Sequence, residues 1–203
     1  MNNWPVDNIP ENHDPHVAAW IKQYVGKNDV FYDIGANRGI FSLQAAEQGA
    51  VVYAFEPVPS TAAMIPYHPN ITVVACAVGS EPWPYKVALS VGSGQVELTS
   101  KDIGREILTR KLIVATLPLD LLVVTCKPPT VIKMDIQGME YAALCGGTEG
   151  ALDDVHHMII EIEAGCLARH GVQESQIYNL CRDIGFAQAG DAKHDVIFER
   201  VHA

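Results

Sequence analysis

The chain has 203 residues, 48% hydrophobic and 19% charged, with a formal net charge of −10. That length suits one domain with a sizeable core. The acidic balance, without a basic stripe, excludes an ordinary DNA or RNA binder, and no apolar run reaches the roughly eighteen residues of a membrane span.

Residues 1–15 read as a polar, Pro-rich arm, "MNNWPVDNIPENHDP". It has neither the basic start nor the apolar stretch of a signal peptide. "HVAAWIKQYV" predicts a short helix that stops near Gly26. "DVFYDIG" predicts a strand buried on both faces, because its apolar body is continuous. "IFSLQAAEQGA" predicts a helix ended by Gly49, where glycine accepts a left-handed cap. "VVYAFEP" is a second strand stopped by Pro57, and "STAAMIPYHPN" allows only a short helix before Pro66 and Pro69. "ITVVACAVG" reads as a third strand.

Residues 81–110 change character. "YKVALSVGSGQVELTS" has two β-rich runs around "GSG" and predicts a hairpin-like excursion. After "LIVATLPLDLL", "TVIKMDIQG" predicts another buried strand, "MEYAALCGGTEGALDD" a helix interrupted by glycines, and "HHMIIEIE" a strand. "ESQIYNLCRDIG" and "DVIFERV" supply a final helix and a final strand. Strand and helix alternate, so the expectation is one α/β domain over residues 1–203 with a mostly parallel central sheet. The five cysteines form no CxxC pair, which fits core packing in a reducing cytoplasm. The eight histidines are scattered and read as surface or satisfied side chains.

In open α/β sheets ligands sit beyond the carboxyl ends of the strands. The first such turn is Asp33-Ile34-Gly35-Ala36-Asn37-Arg38-Gly39, and Glu56 ends the next strand. Glycines let a ligand approach the backbone, and a carboxylate at Glu56 can accept from both ribose hydroxyls. The two features together point to a nucleoside. The turn lacks GxGxxG, and Asp33 would repel a pyrophosphate. It suits a cation instead, and S-adenosyl-L-methionine is the common nucleoside with a cationic amino-acid tail.

The segments "DIGANRGIFSLQAA", "AFEPVPS", "ACAVGS", "LPLDLL" and "IKMDIQGMEYAAL" occur in the order found in FkbM-type methyltransferases, and residues 29–163 resemble that family. The resemblance implies a Rossmann-like class I methyltransferase fold with helices on both faces of the sheet. It implies S-adenosylmethionine-dependent O-methylation of a hydroxyl on a small molecule, such as a sugar or secondary metabolite. It also implies that Asp33, Gly35, Ala36, Asn37 and Gly39 bind the methionine end, Glu56 and Pro57 the ribose, and Ala77 and Val78 the adenine. Asp135, with Gly138 and Glu140, belongs to the second signature and adjoins the cofactor. Gln137 stands where the family often has Glu. The segment after Glu56 is short for the family, and the short N-terminal region either lacks a substrate lid or takes one from a partner subunit, as in a homodimer.

Methylating an alcohol is helped by a base beside the oxygen. Asp135 at its strand's end is the first candidate, with Glu140 and Glu161 behind it; helix capping is the competing duty of Asp135. Glu161 and Glu163 share one face of their strand. With Asp135 they could in principle ligate a divalent cation, but no metal is expected. Lys133 lies mid-strand in an apolar run and calls for an ion pair, with Asp33 or the "EIE" acids as partners. Two other readings compete: a non-catalytic cofactor-binding module and a nicotinamide-dependent oxidoreductase.

Overall fold

A computed structural model describes residues 14–90, 96–99 and 108–201. The expected arm therefore lies outside the described residues up to residue 13, as does the "GSG" centre of the excursion. In chain order the elements begin with α1 (Pro15–Tyr24), β1 (Val30–Ile34), α2 (Ile40–Glu47), β2 (Val51–Phe55), α3 (Pro59–Ala62), β3 (Ile71–Val74) and β4 (Ala77–Val78). The second sheet's strands follow: β5 (Trp83–Ser90), β6 (Val96–Thr99) and β7 (Leu108–Leu117). The remainder comprises α4 (Leu119–Leu122), β8 (Val131–Met134), α5 (Glu140–Cys145), β9 (His157–Glu161), α6 (Ala164–Arg169), α7 (Glu174–Asp183), β10 (Phe186–Ala192) and β11 (Asp195–Arg200).

The main sheet has seven strands in the order β10-β11-β9-β8-β1-β2-β3. Pairings from β9 to β3 are parallel, and β11 alone is reversed, antiparallel to both β9 and β10. The order turns back at β1, so the ends of β1, β2 and β8 open onto the crevice where such sheets bind ligands.

Side-chain alternation divides the core between the sheet's two faces. Phe31, Val52, Val131 and Ile159 pack with Trp20 and Ile21 of α1 and Phe41 and Ala45 of α2. Tyr32, Ile132, Met134, Met158 and Ile160 pack on the other side with α4, α5 and α7. Fully burying one such aliphatic or aromatic side chain contributes about 1.5–3 kcal/mol. α2 stops as expected, with Gly49 at φ 92. Pro66 follows α3, which is only four residues long.

The third strand differs from expectation. It is broken at Ala75–Cys76, where the Cys76 N–H turns back to donate to the Val74 carbonyl at 2.9 Å. β3 stays in the main sheet, while β4 joins a four-stranded sheet, β4-β7-β5-β6. In that sheet β5 runs antiparallel to both β6 and β7. β10 was not expected at all; its segment, "FAQAGDA", is largely exposed and weakly apolar.

Candidate active site

The first turn is shaped by three left-handed residues, Gly35 (φ 81), Asn37 (φ 50) and Gly39 (φ 77). The Gly35 and Ala36 N–H groups both donate to the Phe55 carbonyl at 3.0 Å, which ties the turn to the end of β2. Asp135 N–H donates to Ile34 at 3.0 Å, so the residue after β8 is tied to the same turn. Asn37 and Arg38 are exposed at its crest.

Glu56 is buried at the end of β2. One carboxylate oxygen accepts from Asn37 N–H at 3.1 Å and the other from Val58 N–H at 2.8 Å. Burial pushes its pKa up, and those two bonds work against the rise. A carboxylate offers about four acceptor positions, so it retains capacity for ligand hydroxyls. Nearby, Val58, Ala77, Val114 and Met139 form an apolar cluster. Pro57 is half-buried between Glu56 and Val58, whereas Val78 faces the main core.

Asp33 lies beneath the turn rather than in the cleft, with no exposed surface. It accepts from Ser42 Oγ at 2.6 Å and pairs with Lys133 Nζ at 3.1 Å, the residue beside it in the β1–β8 register. Its oxygens are turned into the protein, and the cation that Asp33 meets here is the Lys133 ammonium. Lys133 also donates to the Gly35 carbonyl at 2.9 Å, so the buried pair supports the turn from below. Burial alone would lower the Lys133 pKa, but Asp33, Asp135 and Glu161 outweigh it and leave it raised.

The other side of the crevice is acidic. Asp135 follows the last residue of β8, and Glu161 is the last residue of β9. Gln137 Nε2 donates to Asp135 Oδ1 at 3.0 Å and to Glu161 Oε2 at 2.9 Å. Asp195 of β11 lies opposite Glu161 in register and pairs with His16 of α1. Glu140 opens α5, but its carboxylate turns back onto the preceding loop. It accepts from Ile136 N–H at 2.9 Å and Gly138 N–H at 3.2 Å, and its Oε2 is buried with no hydrogen-bond partner. Burial pushes its pKa up to about 7. Glu163 occupies the N-cap position of α6 without a side-chain capping bond, its Oε2 3.3 Å from Cys166 Sγ. Among the described residues, no three His, Cys, Asp or Glu side chains are grouped to hold a metal ion.

The sequence motifs thus converge at one end of the sheet. A sequence model of the Methyltransferase FkbM domain matches residues 33–186. The chain belongs to the FkbM methyltransferase family. S-adenosyl-L-methionine is the cofactor that goes with membership. The donor set fits it: Glu56 offers acceptors for hydroxyls, and Val58, Ala77 and Met139 offer apolar surface for a base.

Solved structures agree on the fold, that of class I methyltransferases. The FkbM methyltransferase of Methylobacillus flagellatus KT is 18% identical, with a TM-score of 0.53 over 86% of this chain and 44% of that one. The family member described here therefore spans less than half the length of that relative. Magnesium protoporphyrin IX methyltransferase from Synechocystis PCC 6803, solved with bound S-adenosylmethionine, is 14% identical, with a TM-score of 0.53 over 93% of this chain and 77% of that one. A TehB-like S-adenosylmethionine-dependent methyltransferase from Corynebacterium glutamicum is 11% identical, with a TM-score of 0.53 over 91% of this chain and 86% of that one. The sequence matches none of the curated proteins.

Four residues of this FkbM-family site escaped the sequence reading as site residues: Ser42, Gln137, Asp195 and His16. Ser42 could have been found, since a polar residue on the inner face of α2, nine after Asp33, suggests a partner. His16 and Asp195 are 179 positions apart and left no local signal.

Proposed function

We propose that this chain is an S-adenosylmethionine-dependent O-methyltransferase acting on a hydroxyl of a small molecule, a sugar or secondary metabolite. The observation that carries the reading is the position of Asp135, a half-buried carboxylate one residue beyond β8, tied by its own N–H to the cofactor turn. When bound, the cofactor supplies an electrophilic methyl on a sulfonium. Gly35, Ala36, Asn37 and Gly39 form the backbone cradle for its methionine end, with Asp33 and Lys133 bracing it from below. Glu56 accepts from the ribose hydroxyls, and Pro57, Val58 and Ala77 border the base, while Val78 stays in the main core.

On the acceptor side, an Asp135 carboxylate oxygen receives the hydroxyl proton as the oxygen becomes nucleophilic. Glu161 lies beside Asp135 as its partner acid, and Glu140 holds the 136–138 loop that sets the geometry. The five free cysteines, four of them buried, support a reducing cytoplasmic setting. Among the described residues, no helix is long and apolar enough to cross a membrane.

The test begins with a screen of hydroxylated compounds for S-adenosylhomocysteine release. Asp135→Asn should then lower kcat by about 100- to 10,000-fold, the usual range for a general base, with cofactor affinity little changed. Near-normal turnover in Asp135→Asn would reduce Asp135 to a structural role. Tight cofactor binding with no turnover on any acceptor would favour a non-catalytic module, a reading that the four-residue α3 beside the cofactor side keeps in view.

A further inference from the structure

Gln137 stands between the two carboxylates on the acceptor side. Asp135 comes from the end of β8 and Glu161 from the end of the neighbouring β9, so the Gln137 amide bridges the seam between two strands. Nε2 carries two hydrogens, and each is directed to a different acid. The backbone is committed to this aim. Gln137 has φ 57, uncommon for a residue with a side chain, and Gly138 follows at φ 105. A Cβ on Gly138 would overlap the Cys166 carbonyl, so the loop is pressed against α6. Gln137 Oε1 faces Cys166 Sγ at 3.9 Å.

We propose that Gln137 is a positioning residue of the methyl-transfer site, its side-chain amide clamping Asp135 and Glu161 into one acid pair that holds a single proton. The proposal rests on the O-methyltransferase reading above. Two carboxylates served by one nitrogen repel each other if both ionise, and partial burial sharpens that repulsion. A neutral amide orients both without favouring either by charge. The surrounding groups decide where the proton resides. Lys133 on β8 is engaged by Asp33 of β1 and by the Gly35 carbonyl. Glu140 of α5 and Asp195 of β11 add negative groups around the pair, whereas the Glu163 carboxylate at the start of α6 is turned to Cys166 Sγ. Asp195 is answered by His16 of α1, with Asp14 next to that helix. Burial, then Asp135, Asp195 and Glu140, hold the Glu161 pKa well above the carboxylate range. Glu161 keeps the proton, and Asp135 remains the acceptor for the substrate hydroxyl. The clamp fixes which oxygen faces the substrate.

The test compares Gln137→Glu, which keeps the shape and loses the donors, with Gln137→Met, which keeps the length and adds no charge. Thermal unfolding and S-adenosylhomocysteine calorimetry establish that each variant folds and binds, with affinity expected within about threefold of the parent. In the Met variant kcat should fall by about tenfold or more with acceptor KM little changed, because a misaligned base costs turnover rather than binding. In the Glu variant the added carboxylate should move the acidic limb of the kcat profile to higher pH.

The second arm needs neither cofactor nor acceptor. Carboxyl carbon-13 NMR titration of the full chain, with Glu161 assigned through Glu161→Gln, should show the Glu161 transition displaced in both variants. A Met variant with parental kcat, pH profile and Glu161 titration would overturn the clamp. If the parent binds no cofactor or methylates nothing, the functional reading falls, and the NMR arm still decides the clamp on its own.

Discussion

A methyl group on Gly35 would overlap the backbone carbonyl oxygen of Asp135, so the turn after β1 and the acid-bearing loop after β8 are seated directly on each other. Nothing larger than hydrogen fits there, and the backbone at φ 81 disfavours a side chain independently. Gly35→Ala should therefore destabilise the fold by about 2 kcal/mol or more and abolish S-adenosylhomocysteine binding. Urea unfolding and calorimetry read the two effects. A Gly35→Ala protein of parental stability and affinity would mean the loop yields more easily than its hydrogen bonds suggest.

Two backbone N–H groups fix the Glu56 carboxylate at the end of β2. Glu56→Ala should weaken S-adenosylmethionine and S-adenosylhomocysteine by roughly 1.5–3 kcal/mol, the scale of hydrogen bonds to a charged group. Calorimetry on the folded variant measures it, and unchanged affinity would remove Glu56 from the ribose site.

Lys133 and Asp33 form a buried pair, and removing one member strands the other. Lys133→Met should cost about 3–5 kcal/mol in a denaturant titration. The double variant Asp33→Asn/Lys133→Met should recover much of that loss, since no unpaired charge remains. If the single and double variants are equally unstable, the turn depends on the Lys133 bond to the Gly35 carbonyl rather than on charge pairing.

The protein should lose stability as pH rises through the range where Glu140 titrates. Its folded pKa, about 7, stands above the ordinary 4.5, so between those values the folded state keeps a proton that the unfolded state releases. The Glu140 contribution to stability then falls with rising pH across that window, by at most about 3 kcal/mol, and is level on either side of it. Glu140→Gln can still accept from Ile136 and Gly138 and should flatten the slope, gaining stability at pH 8 relative to pH 4. A parental pH dependence in Glu140→Gln would show that other groups set it.

The parts of this site that could be read from sequence are local or follow from strand register. Gly35 and Glu56 stand at the ends of two largely apolar strands. Lys133 was expected to need a partner because an apolar strand cannot hold a lone ammonium, and parallel register put Asp33 beside it. The break at Ala75–Cys76 was not legible, because "ITVVACAVG" is as apolar where the chain leaves the main sheet as where it stays. The depth of Asp33 was missed for a similar reason: sequence shows a carboxylate before a glycine but not which way it turns. Gln137 depends on a left-handed backbone that glutamine does not advertise.

The reversed strand β11 has a consequence for how the protein is made. It is the last strand in the described chain, yet it sits between β9 and β10 and bonds to both. Gly35 and Glu56 emerge during synthesis long before Asp195 arrives to face Glu161 and meet His16. The turn of Gly35 and the end of β2 can thus take shape on the nascent chain while the Glu161 side of the sheet waits for the final strand to slide into its slot. Deleting residues 195–200 would undo two ladders at once and leave β10 with no strand to bind.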